Sequence, residues 1–229
     1  MRIAYFDAFS GVSGDMTVGA LLHLGLPLDA VRQAVASLGV TGVELDAEPT
    51  ARSGITATAF RVGTARGHTA PHSHQPHEHG HRHDHRPYAE IRDLLAGSSL
   101  AAPVKERAAA IFARLAHAEG RVLGVSPDLV EFHEVGAVDA IVDVVGAALG
   151  FVHLGIDAVY ASPLPMGQGR ALAAHGVLPV PGPAVTELVR GRPVRFEDGA
   201  AELVTPTGAA SALAPSRSRI STYGRWPCW

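Results

Sequence analysis

Asp139 and Asp143 stand four residues apart in Val138-Asp139-Ala140-Ile141-Val142-Asp143-Val144-Val145-Gly146-Ala147-Ala148-Leu149, a run otherwise built from apolar and small residues. A helix of that composition is hydrophobic nearly all round and must be buried on most sides. On such a helix both carboxylates project from one face, about one turn apart. Burying a carboxylate without a partner is costly, so the pair calls for a cation, hydrogen-bond donors or a water-filled cleft. His133 and Glu134 lie just ahead, and Gly136 loosens the backbone before the helix. One short segment can thus aim an imidazole and three carboxylates into a common space, where they can receive a metal ion or accept a proton. The plainer alternative is structural, with Asp139 capping the helix and Asp143 paired with an arginine.

A second set of metal-competent groups lies between residues 64 and 87: His68, His72, His74, His77, His79, His81, His83 and His85. Pro71, Pro76, Pro87, Gly67 and Gly80 interrupt them, and apolar residues are almost absent, so the stretch is expected to be a disordered, mobile loop. Imidazoles in this number bind borderline metals such as nickel, copper and zinc. No cysteine joins them, which argues against a closed structural zinc site. Overlapping His-X-His chelates suit capture and transfer better than permanent retention. A neutral solvated linker or an expression tag is the alternative, although a tag is normally terminal and uninterrupted.

Three further stretches carry polar groups in Gly-rich surroundings. Ser10-Gly11-Val12-Ser13-Gly14 follows a short strand and opens a helix, an arrangement that presents backbone N–H groups to an anion. Rossmann and P-loop spacings are absent. Asp7 and Asp15 frame the same loop and can instead hold a divalent ion, or Asp15 can simply cap the helix. Residues 163 to 183 read as a Gly/Pro-rich loop in which Arg170 can pair an anion and His175 can act as ligand or proton carrier. Thr205, Thr207 and Gly208 open a small-residue helix whose hydroxyls can cap it or touch a phosphate.

The elements that must position these groups follow from pattern. Residues 2 to 6 predict a short buried strand, 16 to 24 a helix stopped by Gly25 and Pro27, and 28 to 38 a second helix with Leu28, Val31, Val35 and Leu38 on one face. Residues 42 to 48 and 55 to 62 alternate like strands, joined by a stretch from Pro49 to Gly54 that is too long for a two-residue hairpin. Helices are expected over 88 to 95 and 103 to 123, the latter with Val104, Ala108, Ile111 and Leu115 inward. After the Asp139 helix, residues 157 to 162 predict a strand, 184 to 190 a short helix and 202 to 204 another strand. The fold class is α/β: a mixed sheet flanked by helices, with the His-rich loop inside it.

Composition narrows the function classes. The 229 residues include 47% hydrophobic and 18% charged, enough apolar material for a core. A net charge of -3 supplies no basic field, so nucleic acid is not an expected partner. Cys228 is the only cysteine, which excludes a disulfide scaffold and makes a cytoplasmic location the default. No apolar run approaches membrane-spanning length, and Asp7 interrupts any signal-peptide core, so no membrane partner is expected. The Ser/Arg-rich stretch from Pro215 to Trp229 breaks with the preceding pattern and predicts an irregular tail.

Taken together, Tyr5-Phe6-Asp7-Ala8-Phe9-Ser10-Gly11-Val12-Ser13-Gly14-Asp15-Met16, the internal His tract, Phe132 through Asp143, Ala174-His175-Gly176 and Leu203-Val204-Thr205-Pro206-Thr207-Gly208 resemble the LarC-type nickel insertion proteins over residues 1 to 213. The resemblance implies nickel insertion into a pyridinium bisthiocarboxylic acid mononucleotide, a lyase (cyclometallase) reaction that forms the nickel-pincer cofactor of lactate racemase. It also implies dependence on CTP and a divalent metal held by a C-terminal domain. That domain is expected to be absent here, with residues 214 to 229 an unshifted-frame ending, so that the chain works with a separate or frameshift-fused partner. A homo-oligomer is among the expected assemblies. Under this resemblance His133, Glu134, Asp139 and Asp143 receive nickel or the proton released at the ring, and the Ser10–Gly14 and Thr205–Gly208 segments hold the mononucleotide phosphate. Two other readings stand beside it: a nickel store or metallochaperone without chemistry, and a metal-dependent phosphohydrolase using Asp7, Asp15, Asp139 and Asp143.

Overall fold

The computed structural model of the chain describes residues 1–64, 67–68, 86–132, 137–173, 176–199 and 201–213. In chain order the elements are β1 (Ile3–Phe6), α1 (Gly14–His23), α2 (Leu28–Ser37), β2 (Val43–Arg52), β3 (Ile55–Thr64), β4 (Gly67–His68), β5 (Arg86–Pro87), α3 (Tyr88–Gly97) and α4 (Ala102–Leu123). A 3-10 turn at Pro127–Leu129 leads to β6 (Glu131–Phe132) and α5 (Val138–His153). There follow β7 (Ala158–Ala161), β8 (Leu164–Met166), β9 (Arg170–Ala173), β10 (Gly176–Pro179), α6 (Pro183–Leu188), β11 (Val194–Phe196) and α7 (Pro206–Ala212). The class is α/β, with the strands distributed over small sheets: β1 with β7 and β8 with β11 are parallel, while β2-β3-β4, β5-β6 and β9-β10 are antiparallel.

Helix α5 is central because it is apolar all round. Ile141, Val144, Val145 and Ala148 enter one core with Phe112, Leu115 and Phe132. Val142, Ala147 and Phe151 enter a second core with Val18, Val31 and Phe60. Helices α1 and α2 lie against α5, and so do α4 and α7. The approach of α1 is set by two glycines of α5. A Cβ at Gly146 would come within 2.9 Å of Val18, and one at Gly150 within 2.8 Å of Leu21. Continuing the stripe one turn back brings Asp143 against Gly14 at the start of α1.

Several sequence expectations are revised. The stretch from Pro49 to Gly54 is mostly strand: β2 and β3 pair out to Arg52 opposite Ile55, leaving only Ser53 and Gly54 as the turn, both at positive φ. That is the two-residue hairpin whose twist matches its strands, and Pro49 is accommodated because β2 is an edge strand. Residues 163 to 183 contain three short strands rather than one loop. The strand expected at 202 to 204 reduces to a single bridge between Val204 and Val12, while Val194–Phe196 forms a strand with no clear alternation to announce it. The first strand is half-buried on one face and exposed on the other, with Tyr5 65% exposed. The segments at 69–85 and 214–229 lie outside the described residues.

Candidate functional site

The loop from Ala8 to Ser13 takes its shape from residues more than 150 positions away. Ala8 donates its backbone N–H to Ser162 Oγ at 3.0 Å. Arg195 donates to the Phe9 carbonyl at 2.6 Å and to the Pro163 carbonyl at 2.9 Å. Val12 donates to the Leu203 carbonyl at 2.9 Å, and Thr205 donates back to the Val12 carbonyl at 3.1 Å. Gly11 turns at φ 112°, and a Cβ there would lie 2.1 Å from the Leu203 oxygen. Glycine is required by that contact as well as by the dihedral. Neither Ser162 nor Arg195 stood out in the sequence, because a serine at a strand end and an arginine in a short strand carry no local signal.

Ser13, not Asp15, is the N-cap of α1: its Oγ accepts from the Met16 N–H at 3.4 Å and donates to the Asp15 carboxylate. The Ser13 carbonyl accepts the Thr17 hydroxyl at 2.8 Å. Thr205 caps α7, accepting the Gly208 N–H at 3.2 Å and lying 3.1 Å from the Thr207 hydroxyl. Gly208 is forced by proximity, since a Cβ would fall 2.3 Å from the Val12 oxygen. The two Gly-rich segments predicted from sequence are therefore brought together, each glycine admitting the backbone of the other. Ser10 is exposed, Ser13 and Thr205 are half-buried, and Thr207 is buried.

Beneath this junction lies Asp143, with 9% of its surface exposed and no hydrogen-bond partner for Oδ1 among the described residues. The arginine partner considered for it does not occur there. Asp139, one turn earlier, is exposed and is not the cap of α5, a position held by Ala137 without a side-chain bond. Burial raises the Asp143 carboxyl well above the ordinary aspartate range, and the nearby negative charges of Asp15 and Asp139 raise it further. A Cβ on Gly14 would sit 2.4 Å from Asp143 Oδ2, so the start of α1 closes directly over the carboxylate. Three of the predicted acids thus converge electrostatically. Among the described residues, however, no three His, Cys, Asp or Glu side chains group closely enough to hold a metal ion.

The other predicted residues divide. Asp7 is exposed at the end of β1, and Arg170 is exposed at the start of β9, opposite Pro179. His133, Glu134, His175 and the histidines from His72 to His85 lie outside the described residues, while His68 pairs through its backbone with Gly63. The residues that follow His85 are paired: Arg86 pairs with Phe132, Pro87 with Glu131, and Tyr88 donates to the Val130 carbonyl at 2.9 Å. The residue after His85 is thereby held beside the residue before His133. Among the described residues, no helix is long and apolar enough to cross a membrane.

Comparison with known proteins gives the family of the chain. The chain is 49% identical over 216 residues to a putative nickel insertion protein of Geotalea daltonii, covering 93% of this chain and 52% of the relative. A putative nickel insertion protein of Geobacter sp. strain M21 is 48% identical over 233 residues, covering 98% and 57% respectively. The pyridinium-3,5-bisthiocarboxylic acid mononucleotide nickel insertion protein of Geobacillus kaustophilus is 41% identical over 227 residues, covering 99% and 53%. The chain spans about half the length of these curated relatives. No solved structure matches it. The nickel insertion protein family model matches residues 4–220, and the chain belongs to that family.

Proposed function

We propose that this chain is the nickel-handling part of a protein that inserts nickel into pyridinium-3,5-bisthiocarboxylic acid mononucleotide, the compound in the name of the Geobacillus kaustophilus relative. The observation that carries the reading is the Asp143 carboxyl, buried, unpartnered at Oδ1 among the described residues, and facing two other acids. Such a group ionises readily only when a cation arrives, and a divalent ion supplies that charge. Asp15 and Asp139, less buried, form the mouth through which nickel enters as substrate. His133 and Glu134 complete the site from the segment ahead of α5. When the ring carbon bonds nickel it gives up its proton, and an ionised Asp143 is the base that takes it.

The His tract from His68 to His85 collects nickel in this proposal. The pairing of Arg86–Pro87 with Glu131–Phe132 supports delivery to the segment containing His133, because it removes most of the chain-closure entropy between the tract's end and the site. Ser10 and Ser13 at the start of α1, with Arg170 and His175, contact the anionic groups of the mononucleotide. Thr205, Thr207 and Gly208 wall that pocket from behind, since Thr205 already accepts the Gly208 N–H. The part of the relatives outside the match handles CTP with its divalent metal. The lyase reaction belongs to the two-part protein, and this chain alone binds nickel.

The decisive experiment measures nickel loading of the mononucleotide by the two-part protein. Asp139→Asn combined with Asp143→Asn should abolish loading, and unchanged loading would refute the assignment. Deleting residues 68–85 separates insertion from simple storage or chaperoning. An inserting protein keeps its loading rate in abundant nickel and loses it only when nickel is scarce, whereas a metallochaperone loses function at both levels.

A further inference from the structure

The parallel pair β1–β7 has two unlike faces. Ala4, Phe6, Val159 and Ala161 pack inward against the two cores. Outward point Ile3 at 49% exposed, Tyr5 at 65% and Tyr160 at 38%, with Tyr5 directly opposite Tyr160 in the register. Parallel sheets are normally covered on both faces, and a two-stranded pair is too small to stand on its own hydrogen bonds. Each strand also has one edge without a strand partner among the described residues. Aromatic residues flanked by open strand edges are the composition of a contact surface rather than of a solvated one.

Both ends of the described chain converge here. The N-terminus enters directly into β1, and α7, the last described element, packs against β7. Polypeptide preceding Met1 would therefore start beside this sheet, and polypeptide following Trp229 would be tethered to it through residues 214–229, which lie outside the described residues. The relatives carry such polypeptide, since this chain covers only 52% and 57% of the two most fully described above. Covalent continuity gives a segment so placed a high effective concentration at the face. We infer that the outer face of β1–β7 is the docking surface for an apolar face of the remaining half of the family's polypeptide. Ile3, Tyr5 and Tyr160 are its central contacts. The inference shares with the functional proposal only the premise that two halves act together, and its test reads association, not nickel.

The test mixes the full 229-residue chain with the portion of the Geotalea daltonii relative outside its match to this chain, produced as a separate polypeptide and first shown by cooperative thermal unfolding to be folded. Light scattering should show a one-to-one complex, and hydrogen exchange should slow at residues 3–6 and 158–161. Tyr5→Ser with Tyr160→Ser should weaken the complex about tenfold or more, the usual consequence of truncating central aromatic contacts. Leu129→Ser, at a side chain 71% exposed in the turn before β6, should leave it unchanged. If the double variant fails to fold, exchange in the unsubstituted complex decides. No complex, or a complex without protection of those strands, overturns the inference. So does self-association of the chain alone with protection of the same residues, because a second copy would then be the occupant.

Discussion

Replacing Asp143 with Asn first tests the site in the absence of nickel, through stability alone. The carboxyl is held above its ordinary value of 3.8 by burial and by Asp15 and Asp139. Between that value and its folded-state value, the folded protein therefore retains a proton that the unfolded chain has released. Stability must fall as pH rises through this window and then level off. Asn keeps the shape and removes the ionisation. The gain of Asp143→Asn over the natural chain should be absent below the ordinary value, grow with rising pH, and level off once the pH has passed the folded-state value. The scale is that of a buried polar group without its partner, about 1–3 kcal/mol and more where charge is involved. In a domain of this size each kcal/mol moves Tm by about 2–4 °C. Urea unfolding in chelator at a series of pH values measures the difference directly. Adding nickel should then reverse the order, since a ligand at about 100 times its Kd stabilises by about 2.7 kcal/mol and only the natural chain offers the full site. A variant less stable than the natural chain at every pH would refute the argument, because it would mean that the carboxylate is already satisfied.

Gly14→Ala should destabilise by about 1–3 kcal/mol, since its methyl group collides with Asp143, and the cost should shrink when combined with Asp143→Ala. A double-mutant cycle by chemical denaturation checks the coupling. Arg195→Ala removes the donors that hold the Phe9 and Pro163 carbonyls, so hydrogen exchange across residues 8–13 should accelerate while α4 is unaffected. Ser53→Asn should raise stability by less than about 1 kcal/mol, because Ser53 adopts φ 48° in a two-residue turn that favours Asn-Gly. Thermal unfolding detects it, and a loss of stability would show that the turn is of another kind.

What the sequence revealed and what it withheld separate along a physical line. Local periodicity identified Val104, Ala108, Ile111 and Leu115 as one buried helical face, and all four are buried. The density of apolar residues after Val138 correctly implied a helix enclosed on most sides. Long-range pairing was not readable: nothing local says that Ile3 lies opposite Ala158 or Val194 opposite Leu164. The same limit governed the site. Asp139 and Asp143 share a helical face, yet one is exposed and the other enclosed. The difference comes from Gly14, Gly146 and Gly150, which let α1 settle onto α5 from the Asp143 end. The tight hairpin was obscured because Pro49 reads as a loop residue unless β2 is known to be an edge.

The loop from Ala8 to Ser13 depends on Ser162, Arg195, Leu203 and Thr205, all of which are synthesised long after it. During translation the first strand and its loop emerge early but cannot take their final form until nearly 200 further residues have left the ribosome. Contacts of such sequence separation close slowly, because the chain entropy is lost before the contacts are gained. The order of emergence is then informative. Under the proposed function, the His tract is synthesised before Asp139 and Asp143 and long before Arg195 and Thr205, so nickel captured early would meet a site not yet closed. Under the same proposal, Asp143 stays open to other ions until Arg195 and Thr205 have arrived to fix the loop from Ala8 to Ser13.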